Sequence, residues 1–224
     1  KIAHEKRAKI HVLHVSTGEE IDFLRDHKDV ASVEVTPHHL TMEAPGCYEN
    51  LGTRAQMNPP VREARHRDAL WWGITQGVAD VLGSDHAPHT LEEKAKPYPH
   101  SPSGMTGVQT LVPLMLDHVH AGRLTLERFV DLTSAGVARL FGLATKGRIA
   151  AGYDADFTIV DLKRKETITR NWIASKSQWS PYEGKTVTGW PVGTIVRGHK
   201  VMWDGELVTP AQGEPVLFNE ALPR

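Results

Sequence analysis

Three short apolar runs, separated by helix-like sequence, are the feature that most constrains how this chain can fold. The runs are residues 10–15, 31–36 and 78–83. The helix-like stretches between and after them are residues 17–28, 65–76, 108–121 and 126–141. Alternating strands and helices are typical of α/β proteins with a parallel sheet. A closed parallel barrel needs eight strands and typically about 250 residues. We therefore expect an open sheet or the C-terminal part of a longer polypeptide.

After Gly147 the character of the sequence changes to short β-prone runs separated by Gly, Pro and Asp. These runs are residues 149–160, 167–171, 186–187, 194–196 and 200–203. Short strands with turn residues between them are typical of an antiparallel sheet. The sequence therefore predicts two domains, residues 1–146 and residues 147–224.

The charge balance and the single cysteine exclude several classes of function. The chain has 26 Lys and Arg residues against 27 Asp and Glu residues, which gives a formal net charge of −1. A nucleic-acid or anionic-membrane binder needs an excess of positive charge, so neither partner is expected. No run of apolar residues is long enough to span a membrane, and no secretory signal is visible. Cys47 cannot form an internal disulfide, so a cytoplasmic location is the simpler expectation.

The clearest chemical signal lies where the third apolar run ends, at Gly83-Ser84-Asp85-His86-Ala87-Pro88-His89-Thr90. The carboxyl ends of parallel strands face the active site in α/β enzymes. Asp85 is therefore well placed to bind a metal ion or to move a proton. The chain also has 13 His residues, several of them grouped, which points to metal or proton-transfer chemistry.

His14 is the second candidate, because it lies in the apolar run 10–15, which we interpret as a buried strand. A buried imidazole without a partner costs roughly 1–3 kcal/mol, so this side chain must be hydrogen-bonded or metal-bound. Zinc accepts imidazole nitrogen readily. His14 is thus either a zinc ligand or a hydrogen-bonded core histidine. His11 should point to the opposite face of the strand.

Three further segments could contact a ligand. Residues 34–39 are another strand that ends in Pro and two His, His38 and His39. Asn58 precedes two prolines, and its amide can both donate to and accept from an amide or imide ring. The loop 101–107 is rich in small residues, and its free backbone N–H groups could hold a carboxylate. Read alone, Asn58 is more typical of a turn residue before proline, and the loop 101–107 is equally compatible with a flexible loop that binds nothing.

Other catalytic classes lack their motifs. There is no Gly-x-Ser-x-Gly elbow for a serine hydrolase and no glycine-rich phosphate loop after a strand. Cys47 has no fixed partner that would activate a thiol nucleophile.

Together the four motifs at residues 11–17, 34–40, 57–62 and 83–90 closely resemble the amidohydrolase superfamily, and within it the type I dihydroorotases. The tail that begins at Gly147-Arg148-Ile149 is similar to the strand-rich module that follows the barrel in that family. The resemblance implies an α/β fold, namely the C-terminal part of a (β/α)8 barrel (strands six to eight) followed by a small antiparallel β module.

The resemblance also implies residue roles. His14 matches the metal-binding His of the sixth strand, and Asp85 matches the Asp after the eighth strand, which binds a metal and acts as general base and acid. Asn58, His89 and the Ser103-Gly104 pair match substrate-binding positions. Ser103 stands where many relatives carry Phe, so its contact is expected through the backbone. The remaining ligands of a binuclear zinc centre would lie upstream of this segment.

The function that the resemblance implies is reversible hydrolysis of dihydroorotate to N-carbamoyl-aspartate in pyrimidine synthesis. The partners would then be this small substrate, the N-terminal half of the barrel and a second copy in a homodimer. The segment alone is expected to be inactive. Two alternatives stay open: a hydantoinase or allantoinase, and a non-catalytic scaffold partner of aspartate transcarbamoylase.

Overall fold

A computed structural model describes residues 1–208, 210 and 213–219 of the chain. Its residues form two compact units. The first consists of Lys1–Leu111 with Thr167–Thr186, and the second of Val112–Glu166 with Val187–Arg224. Each unit combines two separate stretches of the chain, whereas the predicted domains are divided once along the sequence, at residues 146–147. That division therefore stays a prediction. No helix in the described part of the chain combines the length and the apolar character that a membrane crossing requires.

A three-stranded parallel sheet forms the centre of the first unit. Its strands are β1 (Ile10–Val12), β2 (Ala31–Val35) and β3 (Val81–Leu82), in the order β1-β2-β3. Ile10 pairs with Ala31 and Glu34 pairs with Val81. The predicted α/β alternation with parallel strands is therefore confirmed.

The first strand is shorter and less buried than the sequence predicted. Ile10 is 46% exposed and Leu13 is 52% exposed. The regular ladder stops after Val12, because the backbone reaches a φ of 38° at His14 and is no longer extended there. The interpretation of residues 10–15 as a buried strand was wrong in this respect. His14 lies beyond the end of the strand and not within it.

The described residues contain nine α-helices. They are α1 (Ile2–Lys6), α2 (Gly18–Arg25), α3 (Pro37–Thr41), α4 (Gly46–Leu51), α5 (Ala64–Thr75), α6 (Leu91–Lys94), α7 (Leu111–His120), α8 (Leu126–Val130) and α9 (Gly136–Phe141). The predicted helix 126–141 is continuous, but a π-helical turn at Asp131–Ala135 joins α8 to α9.

The start of α2 shows why this helix begins where it does. The Thr17 hydroxyl accepts a hydrogen bond from the Glu20 N–H, and the Glu20 carboxylate accepts one from the Thr17 N–H. This reciprocal capping box satisfies donors that a helix start leaves unpaired. The buried face of α2 then packs against α5, where the side chain of Ile21 lies against the backbone of Gly73.

A second sheet has the order β4-β5-β6-β7. Its strands are β4 (Phe157–Thr167), β5 (Thr186–Val196), β6 (His199–Trp203) and β7 (Glu206–Leu207). The pairs β5–β6 and β6–β7 are antiparallel, as the sequence predicted. The predicted strand at 167–171 was wrong, because Arg170–Trp172 form a 3-10 turn.

The core around α5 yields a stability prediction. Ile74 is completely buried, whereas Ile149 is 89% exposed. Ile74→Ala should lower the free energy of unfolding by ~2–5 kcal/mol, since it removes buried methyl groups and leaves a cavity. The matched variant Ile149→Ala should change it by less than about 0.5 kcal/mol. Urea unfolding of both variants measures the difference, and equal effects would contradict the assigned core.

Candidate active site

The carboxyl ends of the three parallel strands carry the two residues with the strongest chemical signal. His14 follows the end of β1 by two residues, and Asp85 follows the end of β3 by three. Their φ angles are 38° and 43°, a left-handed conformation that is uncommon for residues other than glycine. Such strained backbone is found preferentially at functional sites.

Glu34, on the middle strand, connects both neighbouring strand ends. Its Oε1 accepts a hydrogen bond from the His14 N–H (3.2 Å), and its Oε2 lies 3.7 Å from His11 Nε2. The carboxylate also lies directly against Gly83, where an added Cβ would be 2.3 Å from Glu34 Cδ. Only glycine leaves room for the carboxylate at this position. Sequence reasoning included Glu34 in a motif but missed this contact.

His39 lies close enough to His14 and Asp85 for both to influence its pKa. Its Nε2 donates to the Pro59 carbonyl (3.0 Å), and its Nδ1 lies 2.8 Å from the Thr36 hydroxyl. Burial is the largest cause that lowers the pKa of His39, and the charge of His14 adds to it, while the Pro59 carbonyl and Asp85 act in the opposite direction. The two predicted metal ligands, His14 and Asp85, therefore both influence the pKa of the buried His39 imidazole.

His38, the neighbour of His39 in sequence, is also buried. Its Nδ1 lies 2.9 Å from the Tyr182 hydroxyl, and the two rings are stacked. Its Nε2 faces the backbone of Gly107 without a hydrogen-bond partner. Burial, together with the charges of His39 and His86, lowers the pKa of His38 to about 3. His38 is thus neutral at physiological pH.

The predicted substrate-binding residues form a second group. The His89 Nε2 lies 3.1 Å from the Ser103 carbonyl and donates to it. Gly104 has a φ of 139° and lies against Ala87 so closely that an added Cβ would be 2.5 Å from its carbonyl oxygen. Asn58 is exposed, so its amide is accessible to a ligand.

The predicted contact between the Ser103-Gly104 pair and a substrate carboxylate is restricted by a hydrogen bond within the protein. The Gly104 N–H donates to the Gln56 carbonyl (2.9 Å) and is therefore already occupied. A backbone donor for a substrate carboxylate in this pair would have to be the Ser103 N–H. The Gln56 side-chain amide holds the same loop by donating to the Ser101 carbonyl (2.9 Å) and the Ser103 hydroxyl (3.3 Å).

The donor atoms near the strand ends fit part of a zinc site. The Nδ1 atom of His14 is buried and has no hydrogen-bond partner, which suits an imidazole in a metal-binding environment. Within the described residues no cluster of three or more His, Cys, Asp or Glu side chains could hold a metal ion. A four-coordinate zinc shell around His14 and Asp85 would therefore need further ligands.

The comparisons decide the family. The model of the amidohydrolase family matches residues 2–201. The chain belongs to the amidohydrolase family. It is similar to the dihydroorotase of Halobacterium salinarum, with 42% identity over 96% of this chain and 50% of the relative. It is also similar to the dihydroorotase of Methanothermobacter thermautotrophicus, with 38% identity over 89% of this chain and 45% of the relative. This amidohydrolase chain thus spans about half the length of the curated relatives it matches.

Solved structures show the same partial coverage. The L-hydantoinase of Arthrobacter aurescens has a TM-score of 0.88 and 33% identity, and it matches 93% of this chain and 48% of its own length. The dihydropyrimidinase of Brevibacillus agri has a TM-score of 0.85 and 28% identity, over 92% of this chain and 47% of its own length. The α/β architecture and the resemblance drawn from the four motifs are therefore confirmed.

The buried His38 makes acid stability testable. Its folded pKa of about 3 lies below the ordinary 6.5, so between these values the folded state binds fewer protons than the unfolded state. Stability is lost as the pH falls through this window. His38→Asn, whose amide can replace Nδ1 toward Tyr182, should remove about 2 kcal/mol of the stability loss between about pH 7 and about pH 5.

Chemical unfolding at both pH values measures this effect. The control is His120→Asn at an exposed position, which should leave the pH dependence of wild type unchanged. The same acid sensitivity in His38→Asn and wild type would contradict the buried neutral imidazole.

Proposed function

We propose that this chain is the C-terminal part of a dihydroorotase that uses zinc to hydrolyse the cyclic amide of dihydroorotate reversibly to N-carbamoyl-aspartate. The observation that carries the proposal is the pattern of identity. Curated dihydroorotases share 34–42% identity with this chain, over 87–96% of its length. The hydantoinase and dihydropyrimidinase structures share 27–33%.

In this proposal His14 and Asp85 hold zinc together with ligands from the rest of the enzyme. When bound, zinc lowers the pKa of water and polarises the amide carbonyl. Asp85 takes a proton from the attacking water and returns it to the ring nitrogen as the carbon–nitrogen bond breaks. The strained, left-handed backbone at Asp85 supports a role that depends on its orientation.

The second group of residues would bind the substrate. The exposed Asn58 amide can donate to and accept from the ring amide. His89 is oriented by its bond to the Ser103 carbonyl, and the Ser103 N–H is the backbone donor for the substrate carboxylate. Holding the ring in a fixed pose lowers the entropic cost of the reaction.

We further propose that β1, β2 and β3 are strands six to eight of a barrel. In the described sheet β1 is paired on one side only, by β2. Ile10 and Leu13, at this open edge, are about half exposed. An unpaired edge with apolar side chains favours pairing with another strand, here the preceding strand of the barrel.

A hydantoinase is the second candidate, and the TM-score of 0.88 to an L-hydantoinase favours it. The two activities share metal chemistry and differ in the ring that is bound. Turnover of the complete enzyme on dihydroorotate, hydantoin and allantoin separates them. A complete enzyme with intact upstream ligands that turns over none of the three would favour the scaffold alternative.

Asp85→Asn tests the proton-transfer role in the complete enzyme. Asparagine tolerates the left-handed backbone and keeps the shape of the side chain, so the fold should persist. The kcat should fall by ~10³-fold, because an amide cannot accept the proton. The matched control is Asp26→Asn, at an exposed carboxylate that pairs only with Arg25 in the described structure. Retained turnover in Asp85→Asn would exclude the role.

Zinc titration tests the need for further ligands. The chain by itself offers two candidate ligands, so calorimetry should detect no tight stoichiometric zinc binding and no turnover. Adding the N-terminal half of the barrel, covalently or as a separate chain, should restore both properties. Tight zinc binding with turnover by the chain alone would overturn the proposal that it is part of a larger site.

A further inference from the structure

Lys94, the last residue of α6, is completely buried. Lysine is almost never fully buried unless its charge is paired. Among the described residues no carboxylate lies within ion-pair distance of this ammonium group. Instead Nζ donates to two backbone carbonyls, those of Gln56 (3.0 Å) and Pro102 (2.7 Å). A buried cation that is bound only by carbonyls needs an explanation beyond packing.

These two carbonyls belong to the segments that carry the predicted substrate contacts. Gln56 lies two residues before Asn58, and Pro102 directly precedes Ser103. The carbonyl of Lys94 itself accepts hydrogen bonds from the Thr53 and Ser101 hydroxyls. Lys94 thus joins three segments, at residues 53–58, 91–94 and 101–104.

The bond to Pro102 has a geometric consequence. A trans peptide is planar, and its C=O and N–H point in opposite directions. Since the Pro102 carbonyl points at the Lys94 ammonium, the Ser103 N–H of the same peptide points away from it. The positive charge also polarises this peptide and makes its N–H a stronger donor.

We propose that Lys94 is a positioning residue that orients and polarises the Pro102–Ser103 peptide, so that the Ser103 N–H binds the substrate carboxylate. This inference rests on the proposed function, since it needs an anionic cyclic substrate. Lys94 touches no substrate itself and acts through the peptide. Burial lowers the pKa of Lys94 to about 8, so the group is still largely protonated near neutral pH. Its charge has no carboxylate partner among the described residues and favours an anion at the loop.

The test compares two ligands of the complete enzyme that differ in one carboxylate, orotate and uracil. In Lys94→Met the inhibition constant for orotate should rise ~10-fold and that for uracil less than ~2-fold, because only orotate uses the Ser103 N–H. The KM for dihydroorotate should rise by about the same factor as the inhibition constant for orotate, while kcat changes by less than ~3-fold. The matched control is Lys96→Met, at an exposed lysine two residues away, which should change none of these values. Equal weakening of both ligands, or weakening of neither, would overturn the proposal.

A second variant covers the case in which Lys94→Met fails to fold. Thr53→Val removes only the hydroxyl that donates to the Lys94 carbonyl and keeps the side-chain shape. It should raise the inhibition constant for orotate ~3-fold and leave that for uracil unchanged, since Lys94 is then held less firmly. Unchanged orotate binding in a folded Thr53→Val would count against the proposal.

A third measurement separates this inference from the proposed function. Hydrogen exchange of the Gly104 amide is measured in the isotope-labelled chain. In Lys94→Met this amide should exchange ~10-fold faster, because the Gln56 carbonyl that accepts from it loses its bond to Lys94. If Lys94→Met does not fold, the same measurement is made on Thr53→Val. Unchanged Gly104 exchange would overturn the positioning role even if dihydroorotate is hydrolysed. Absence of dihydroorotate turnover in the complete wild-type enzyme, with the exchange effect present, would overturn the proposed function and leave the anchoring role of Lys94 intact.

Discussion

The carboxylate of Glu34 is the contact on which the arrangement of the strand ends depends. It accepts the His14 N–H just beyond β1, and it lies against Gly83 at the end of β3. The Glu34 carbonyl also accepts the Val15 N–H, so this one residue holds the chain on both sides of the left-handed turn at His14. A half-buried carboxylate is tolerated in such a position because the His14 N–H replaces part of the water that it loses. His14 and Asp85 therefore follow the two strands that flank β2, at the end of the sheet where the Glu34 carboxylate lies.

Residues 167–186 complete the first unit although they come from the far end of the chain. The Tyr182 hydroxyl meets His38, and the Trp179 Nε1–H donates to the His89 carbonyl (2.7 Å). The Thr106 hydroxyl donates to the Trp179 carbonyl. Tyr182 stacks on the buried His38 and gives its Nδ1 a hydrogen-bond partner, whereas Trp179 anchors the backbone at His89. Nothing in the local sequence around residue 180 signals this role, because it depends on contacts between segments that are 73 to 144 residues apart.

The two groups of candidate residues have different origins. His14 and Asp85 are placed by the sheet, which belongs to a framework that this chain shares with the L-hydantoinase structure. Asn58 and Ser103 lie on connections that Lys94 holds through the Gln56 and Pro102 carbonyls, and His89 donates to the Ser103 carbonyl. Strand ends are rigid and suit the common chemistry, whereas connections vary more easily and suit the choice of substrate. This division is a physical reason to look for specificity at the loop and not at the strand ends.

The sequence by itself determined the alternation of strands and helices, the antiparallel second sheet and the two strand-end residues, because periodicity and turn residues act locally. It also carried the family resemblance, through four motifs in order. Only the tertiary structure decided that β1 ends at Val12, that Glu34 contacts both strand ends and that the Gly104 N–H is already occupied. It also showed that Lys94, which looks in sequence like a solvated lysine on a charged helix, is buried and donates to the Pro102 carbonyl in the loop 101–107. Hydrogen bonds between distant backbone groups leave no periodic trace in a sequence, so they become visible only when the chain is folded.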